Sequence, residues 1–158
     1  MPLPAAVPDC ILVRHAHAEW PAYVGRDFDR PLTPRGLEDA HATGQALRDA
    51  GLLPSRIIAS SARRTEQTAR ILSRKLGLPA DSLQLLDSLY NAEAGVLKGA
   101  LEASAGSALV LLVAHNPGIS ELARLLSGNK SAPSFRPAEW KLFRYPAVSS
   151  AGDTQTGR

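Results

Sequence analysis

The stretch ALVLLVAHN, residues 108–116, constrains the fold of this chain more than any other. Its first seven residues are all apolar, so neither alternating face of a strand built from them is made for water. A strand covered on both sides sits inside a sheet that has helices above and below it. The run is also far short of the roughly 20 residues that a membrane-crossing helix needs. An interior strand of a layered α/β protein is therefore expected here, ending in His115 and Asn116.

The rest of the chain supplies matching pieces. Ile11–Val13 reads as a short buried strand, RIIAS (Arg56–Ser60) as a second and LQLLD (Leu83–Asp87) as a third, with EWKLFRY (Glu139–Tyr145) as a final edge strand. Between them lie amphipathic helices. Thr33 is suited to cap the first and Pro34 to open it, with Leu37, Ala40, Gly44 and Leu47 inward and Gly51 at its end. The stretch Ser61–Gly77 reads as a second helix, with Thr68, Ile71, Leu72 and Leu76 inward and Gly77 closing it. Asn91 is placed to cap a weaker helix carrying Val96, Leu97, Ala100 and Leu101. Asn116 and Pro117 open a last helix, with Ile119, Leu122, Ala123 and Leu126 inward and Gly128 after it. Residues 18–33 have Pro, Gly and charge but no period, and are expected to form a long loop. The final SSAGDTQTGR is small and polar and is expected to fray. The fold class that follows is a three-layer α/β/α sandwich with a mostly parallel central sheet and an antiparallel edge strand.

At 158 residues the chain suits a single domain over 1–158, with a core from about 10 to 146 and a short polar C-terminal tail. The net charge of +3 is weak and scattered, which argues against a nucleic-acid partner. Cys10 is the only cysteine, so no intrachain disulfide can form and a reducing compartment is expected. The segment MPLPAAVPDC has no basic stretch followed by an apolar one, so no secretory signal is read in it. A cytoplasmic location, away from membranes, is the expectation.

In parallel sheets ligands bind beyond the carboxyl ends of the strands. Arg14 and His15 follow the first strand, Ser60 to Arg64 the second, and His115 with Asn116 the interior one. Two arginines and two histidines on one rim suit a dianion, because the guanidinium fork matches phosphate oxygens. The helix opened by Asn116 and Pro117 would turn its positive end to the same rim. Nearby arginines disfavour an imidazolium, and a neutral imidazole can attack phosphorus. The protein's own cations would stabilise the transferred charge, so no metal or other cofactor is called for.

Four stretches in order, RHA (Arg14–Ala16), RPLTPRG (Arg30–Gly36), SSARRTEQTA (Ser60–Ala69) and LLVAHNPGISELA (Leu111–Ala123), carry a resemblance. Together they resemble the histidine phosphatase superfamily, with its phosphoglycerate-mutase-like fold. Within it the chain is most similar to the small phosphohistidine phosphatases of the SixA type, from Ile11 to about Tyr145. The resemblance implies a metal-independent phosphatase with His15 as phosphoacceptor and Arg14, Arg64 and His115 as its catalytic companions. Arg14, Arg30, Arg64, His115 and Asn116 would bind substrate. The family's arginine corresponds to Arg64 and not Arg63. The implied partner is a phosphorylated protein bearing phosphohistidine, or a small phosphorylated molecule, with inorganic phosphate as product. Ala16 stands where the wider superfamily has glycine, as in the small phosphohistidine group. The glutamate acid of mutase-like members has no clear match; Asp87 and Glu93 are the acidic residues of that region. A leaving group needing little protonation, such as imidazole, fits this departure, whereas an alkyl ester would lack an acid often worth ~10²–10⁴ in rate.

Two other readings stay open. His15, His17 and His115 could hold a metal, since residues two apart on a strand share a face. Alternatively the arginines could serve a phosphate- or phosphoprotein-binding module without catalysis. A cysteine phosphatase is ruled out, because six positions after Cys10 stands Ala16 and not arginine. No GxxxxGK[ST] loop is present. DFD (Asp27–Asp29) follows Gly25 and Arg26 instead of an apolar strand and reads as loop charge. Arg35, Arg63, Arg70, Arg74 and Lys75 read as solvated helix faces and His41 as structural. Gly44 is expected to permit close helix–sheet packing. Trp20, Tyr23 and Phe28 could line the pocket or anchor the loop.

Overall fold

A computed structural model describes residues 7–20, 25–144 and the backbone of 154–157. Six strands form one sheet: β1 (Cys10–Arg14), β2 (Arg56–Ser60), β3 (Leu83–Leu86), β4 (Val110–Ala114), β5 (Trp140–Phe143) and β6 (Thr154–Gly157). Their spatial order is β3-β2-β4-β1-β5-β6. The first four run parallel, and β5 pairs antiparallel with both β1 and β6. β4 lies between β2 and β1, and all five of its residues are buried, as its unbroken apolar run requires.

Alternation along the strands sends side chains to two cores. Leu12, Ile58 and Leu112 pack with Leu97, Leu101 and Ile119 on one face. Ile11, Ile57 and Leu111 pack with Leu47, Ala69 and Leu72 on the other. The second face is covered by α1 (Pro34–Asp49) and α2 (Arg63–Lys75), the first by α3 (Ala94–Glu102) and α4 (Gly118–Ser127). The three expected layers are thus present.

Helix ends behave as their residues dictate. The Thr33 hydroxyl accepts from the Gly36 N–H at 3.0 Å and caps α1. Gly51, Gly77 and Gly128 take positive φ beyond the helices. Several local expectations are corrected. α3 starts after Glu93, while Asn91 adopts a left-handed φ of 50° instead of capping it. Its buried stripe is Leu97 and Leu101, and Val96 is exposed. Leu37 is likewise exposed, because Gly36, Ala40, Thr43, Gly44 and Leu47 make the inner face of α1. His41 is exposed, not structural. Gly44 allows close approach of a helix, not the sheet: a Cβ there would lie 2.8 Å from Cβ and Cγ of Lys75 in α2.

β5 is antiparallel as expected, but Thr154–Gly157 from the tail expected to fray pairs along its outer side. That pairing uses backbone groups, so the polar composition of the tail did not signal it. Tyr145, the end of the expected last strand, and the remainder of the tail lie outside the described residues.

Candidate active site

The carboxyl ends of β1, β2 and β4 open on a cavity of about 480 Å³. Arg14 and His15 reach it from β1, Arg64 from the first turn of α2, and His115 with Asn116 from the end of β4. The segment between β1 and α1 contributes His17, Trp20, Asp27 and Arg30.

His15 is nearly buried, and its Nδ1 lies 2.8 Å from the Ala16 carbonyl. A carbonyl can only accept, so Nδ1 carries the proton and Nε2 keeps its lone pair. Its main-chain N–H is fixed on the Ala114 carbonyl at 3.1 Å, and that of Ala16 on the Thr68 hydroxyl at 3.1 Å. Burial, with His115, Arg64 and Arg14 nearby, holds the His15 pKa well below its ordinary value despite the Ala16 hydrogen bond. The imidazole is therefore neutral at physiological pH. The ring of His115 stands 5.3 Å away, centroid to centroid, with its Nε2 at 2.8 Å from Ser60 Oγ. Burial first, then the Arg64 charge, pushes the His115 pKa down to about 3.

The arginines are held from behind. Arg14 donates through one terminal nitrogen to the Phe135 carbonyl at 3.0 Å. Arg64 is 3% exposed and donates to the main-chain carbonyl of Asp27 at 2.8 Å and to its carboxylate at 3.1 Å. Arg30 donates to the same carboxylate at 2.8 Å and to the Glu19 carbonyl at 2.9 Å. Its guanidinium lies 5.0 Å from the ring centroid of Trp20. Three buried nitrogens on cavity-lining side chains have no protein partner: Nε of Arg14, Nε of Arg64 and Nδ1 of His115. The two guanidinium nitrogens are donors, costly unless an acceptor reaches them, and an oxyanion supplies acceptors on every side; Nδ1 of His115 joins them in the tautomer in which it carries the proton.

Asn116 lines the cavity, but its amide is engaged by the Phe135 carbonyl at 2.9 Å and by the Ser120 hydroxyl. The Ile119 N–H at the start of α4 donates back to the His115 carbonyl at 2.9 Å, so that part of the helix end is not free for a ligand. Gly118 is required for close packing, since a Cβ there would lie 2.0 Å from the Ala92 carbonyl oxygen.

Residues 10–103 match the model of the histidine phosphatase superfamily (branch 1). The chain belongs to this family. It is 32% identical over 127 residues to an uncharacterised chloroplastic protein of Arabidopsis thaliana, covering 75% of this chain and 58% of that one. The chain thus spans a little over half the length of that curated relative. Among solved structures, a proposed SixA phosphohistidine phosphatase of Agrobacterium tumefaciens superposes with a TM-score of 0.80 at 26% identity, over 88% of this chain and 93% of that one. A second proposed SixA, from Nakamurella multipartitia, gives 0.72 at 28% identity over 98% of both chains.

Against this histidine phosphatase framework the other candidates sort clearly. His17 lines the cavity, yet its Nδ1 is taken up by the Thr33 hydroxyl at 2.8 Å. Among the described residues, no three of His, Cys, Asp and Glu are grouped to hold a metal ion, so the His15/His17/His115 reading lacks its ligand set. Asp87 accepts from Ser61 and Glu93 precedes α3; neither lines the cavity. The DFD element is corrected. Asp27 is no mere loop charge but a cavity-lining carboxylate that joins Arg64, Arg30 and the Tyr90 hydroxyl. The available signal was its place three residues before Arg30, in one turn of 3-10 helix. Tyr90 was also missed; its ring stands edge-on to His115 at 5.6 Å and to Phe28 at 5.1 Å. Phe28 thus braces the loop, and Trp20 lines the cavity while remaining 69% exposed. Tyr23 lies outside the described residues.

Proposed function

We propose that this chain, as one domain, is a metal-independent phosphatase that removes the phosphoryl group from phosphohistidine on a partner protein. The observation that carries the reading is the state of His15: a neutral ring, Nδ1 tied to the Ala16 carbonyl, in a cavity it shares with Arg14 and Arg64. Nε2 attacks phosphorus, the bond to the leaving nitrogen breaks, and the phosphoryl group rests on His15. Arg14, Arg30, Arg64 and His115 hold its oxygens as charge moves onto them. Water then releases inorganic phosphate and restores the imidazole.

The acids that reach the site support this choice of substrate class. Asp87 and Glu93 do not line the cavity. Asp27 is ionised, with its pKa at about 2: burial would raise it, but hydrogen bonds from Tyr90 and Arg30 and the Arg64 charge outweigh that. With no ready carboxylic acid among the described residues lining the cavity, the site favours a leaving group that departs neutral by itself. A protonated phosphoimidazole does so. The likeness to structures described as SixA phosphohistidine phosphatases supports the same choice. No helix among the described residues is long and apolar enough to cross a membrane, and a cytoplasmic location suits a phosphoprotein substrate.

The test is turnover of a phosphohistidine peptide and of a sugar phosphate, with and without EDTA. The peptide should be hydrolysed far faster, EDTA should not matter, and acid-labile phosphate should be trapped on the wild type but not on His15→Ala. Equal turnover by His15→Ala would overturn the mechanism, and faster sugar-phosphate hydrolysis would overturn the substrate class.

A further inference from the structure

We propose that Asp27 is the general base of the second half-reaction, taking a proton from the water that attacks the phosphoryl group on His15. The inference rests on the phosphohistidine intermediate proposed above. Among the described residues, Asp27 is the only carboxylate lining the cavity that holds His15 and His115. Its acceptor capacity can be counted. One carboxylate oxygen takes Arg64 and the Tyr90 hydroxyl, and the other takes Arg30. A carboxylate offers about four lone-pair positions, so one remains, on the oxygen facing Arg30. The side chain is 41% exposed, so water can reach the carboxylate.

The surrounding contacts orient the carboxylate rather than neutralise its role. Arg64 grips both the main chain and the side chain of Asp27, which fixes the base relative to an arginine lining the same cavity. Tyr90 ties it to the His115 ring. The phosphoryl group on His15 would bring negative charge into the cavity that Asp27 also lines, and like charge raises the proton affinity of a carboxylate. The base is thus strengthened at the stage where it is needed.

The step balances. The water oxygen forms the new bond to phosphorus, the bond from phosphorus to Nε2 breaks, and its electron pair returns to the ring. One water proton passes to Asp27, and the other stays as the hydroxyl of hydrogenphosphate. Once phosphate leaves, Asp27 is again held only by its cations and the Tyr90 hydroxyl, and releases the proton to solvent.

Rapid-quench measurement of the phosphoenzyme separates the two halves. With a phosphohistidine peptide, Asp27→Asn should slow the discharge of His15 to water about 10²–10⁴-fold, far more than it slows loading, so that the phosphoenzyme accumulates. Hydroxylamine attacks without first needing a base, and should discharge variant and wild type alike. Wild-type discharge to water by Asp27→Asn would overturn the proposal. Hydroxylamine discharge slowed as much as that by water would overturn it too, by showing that Asp27 acts only through the arginines. Absence of phosphoenzyme from wild type and variant during turnover would instead overturn the His15 intermediate, and this inference with it.

Discussion

At the scale of single residues, Arg64 is bound twice to Asp27 and stands 5.8 Å from the centroid of the Tyr90 ring. It is buried at the N-terminal turn of α2 while Arg63 beside it is exposed. Arg64→Lys keeps the charge and loses the fork, which matters where two oxygens are gripped at once. A loss of about 10²–10³ in kcat is expected, the scale of removing one fixed oxyanion donor, with Arg63→Ala near wild type. Steady-state kinetics on a phosphohistidine peptide checks both; equal losses would refute the assignment. The contrast between these two arginines was legible in the sequence through the family resemblance, whose arginine stands four residues before the pair matched by Thr68 and Ala69. Asp27 was not. Its spacing of three to Arg30 hinted at that one pair, but a carboxylate in an aperiodic loop has no period to announce where the backbone will carry it, and Arg64 and Tyr90 are distant in sequence.

At the scale of elements, two glycines hold the site loops against helices. A Cβ on Gly36 would lie 2.0 Å from the His17 carbonyl oxygen, and one on Gly118 2.0 Å from that of Ala92. Backbone oxygens cannot rotate aside, so Gly36→Ala and Gly118→Ala should each cost roughly 1–3 kcal/mol or more, as overpacked sites do. Gly99 in α3 has open space around its Cβ position, and Gly99→Ala should stabilise by about 0.5–1 kcal/mol. Urea midpoints measure all three, and stabilisation at Gly36 or Gly118 would contradict the packing. Helices and parallel strands were legible because their burial writes a period into the sequence. α3 was placed less well, since nine residues with two buried leucines leave its rotation ambiguous. β6 was illegible for a different reason: TQTG pairs through its backbone and shows no apolar alternation.

At the scale of the whole molecule, two buried neutral histidines make the fold acid-sensitive. In the unfolded chain each titrates near 6.5, whereas in the fold His15 lies well below that and His115 at about 3. As pH falls below 6.5 the unfolded chain binds protons that the fold refuses, so stability declines, by at most about 1.4 kcal/mol per pH unit for each histidine. Asp27 acts later: its folded pKa of about 2 lies under the ordinary 3.8, so its contribution is present above 3.8 and is lost as pH falls toward 2. That contribution is small, because the group is partly exposed. Urea midpoints measured from neutral pH down to about pH 5 should fall steadily, and a flat profile would contradict buried neutral rings. The carboxylate among the guanidiniums has one more consequence. Arg14, Arg30 and Arg64 bring three positive charges to the cavity, Asp27 removes one, and the neutral rings add none. Two net charges remain, the complement of a fully ionised phosphoryl monoester or phosphoramidate. A phosphodiester carries a single negative charge and would leave one guanidinium charge uncompensated in a poorly solvated place. On the proposed reading, the cradle selects by valence before any contact with the rest of the substrate is made.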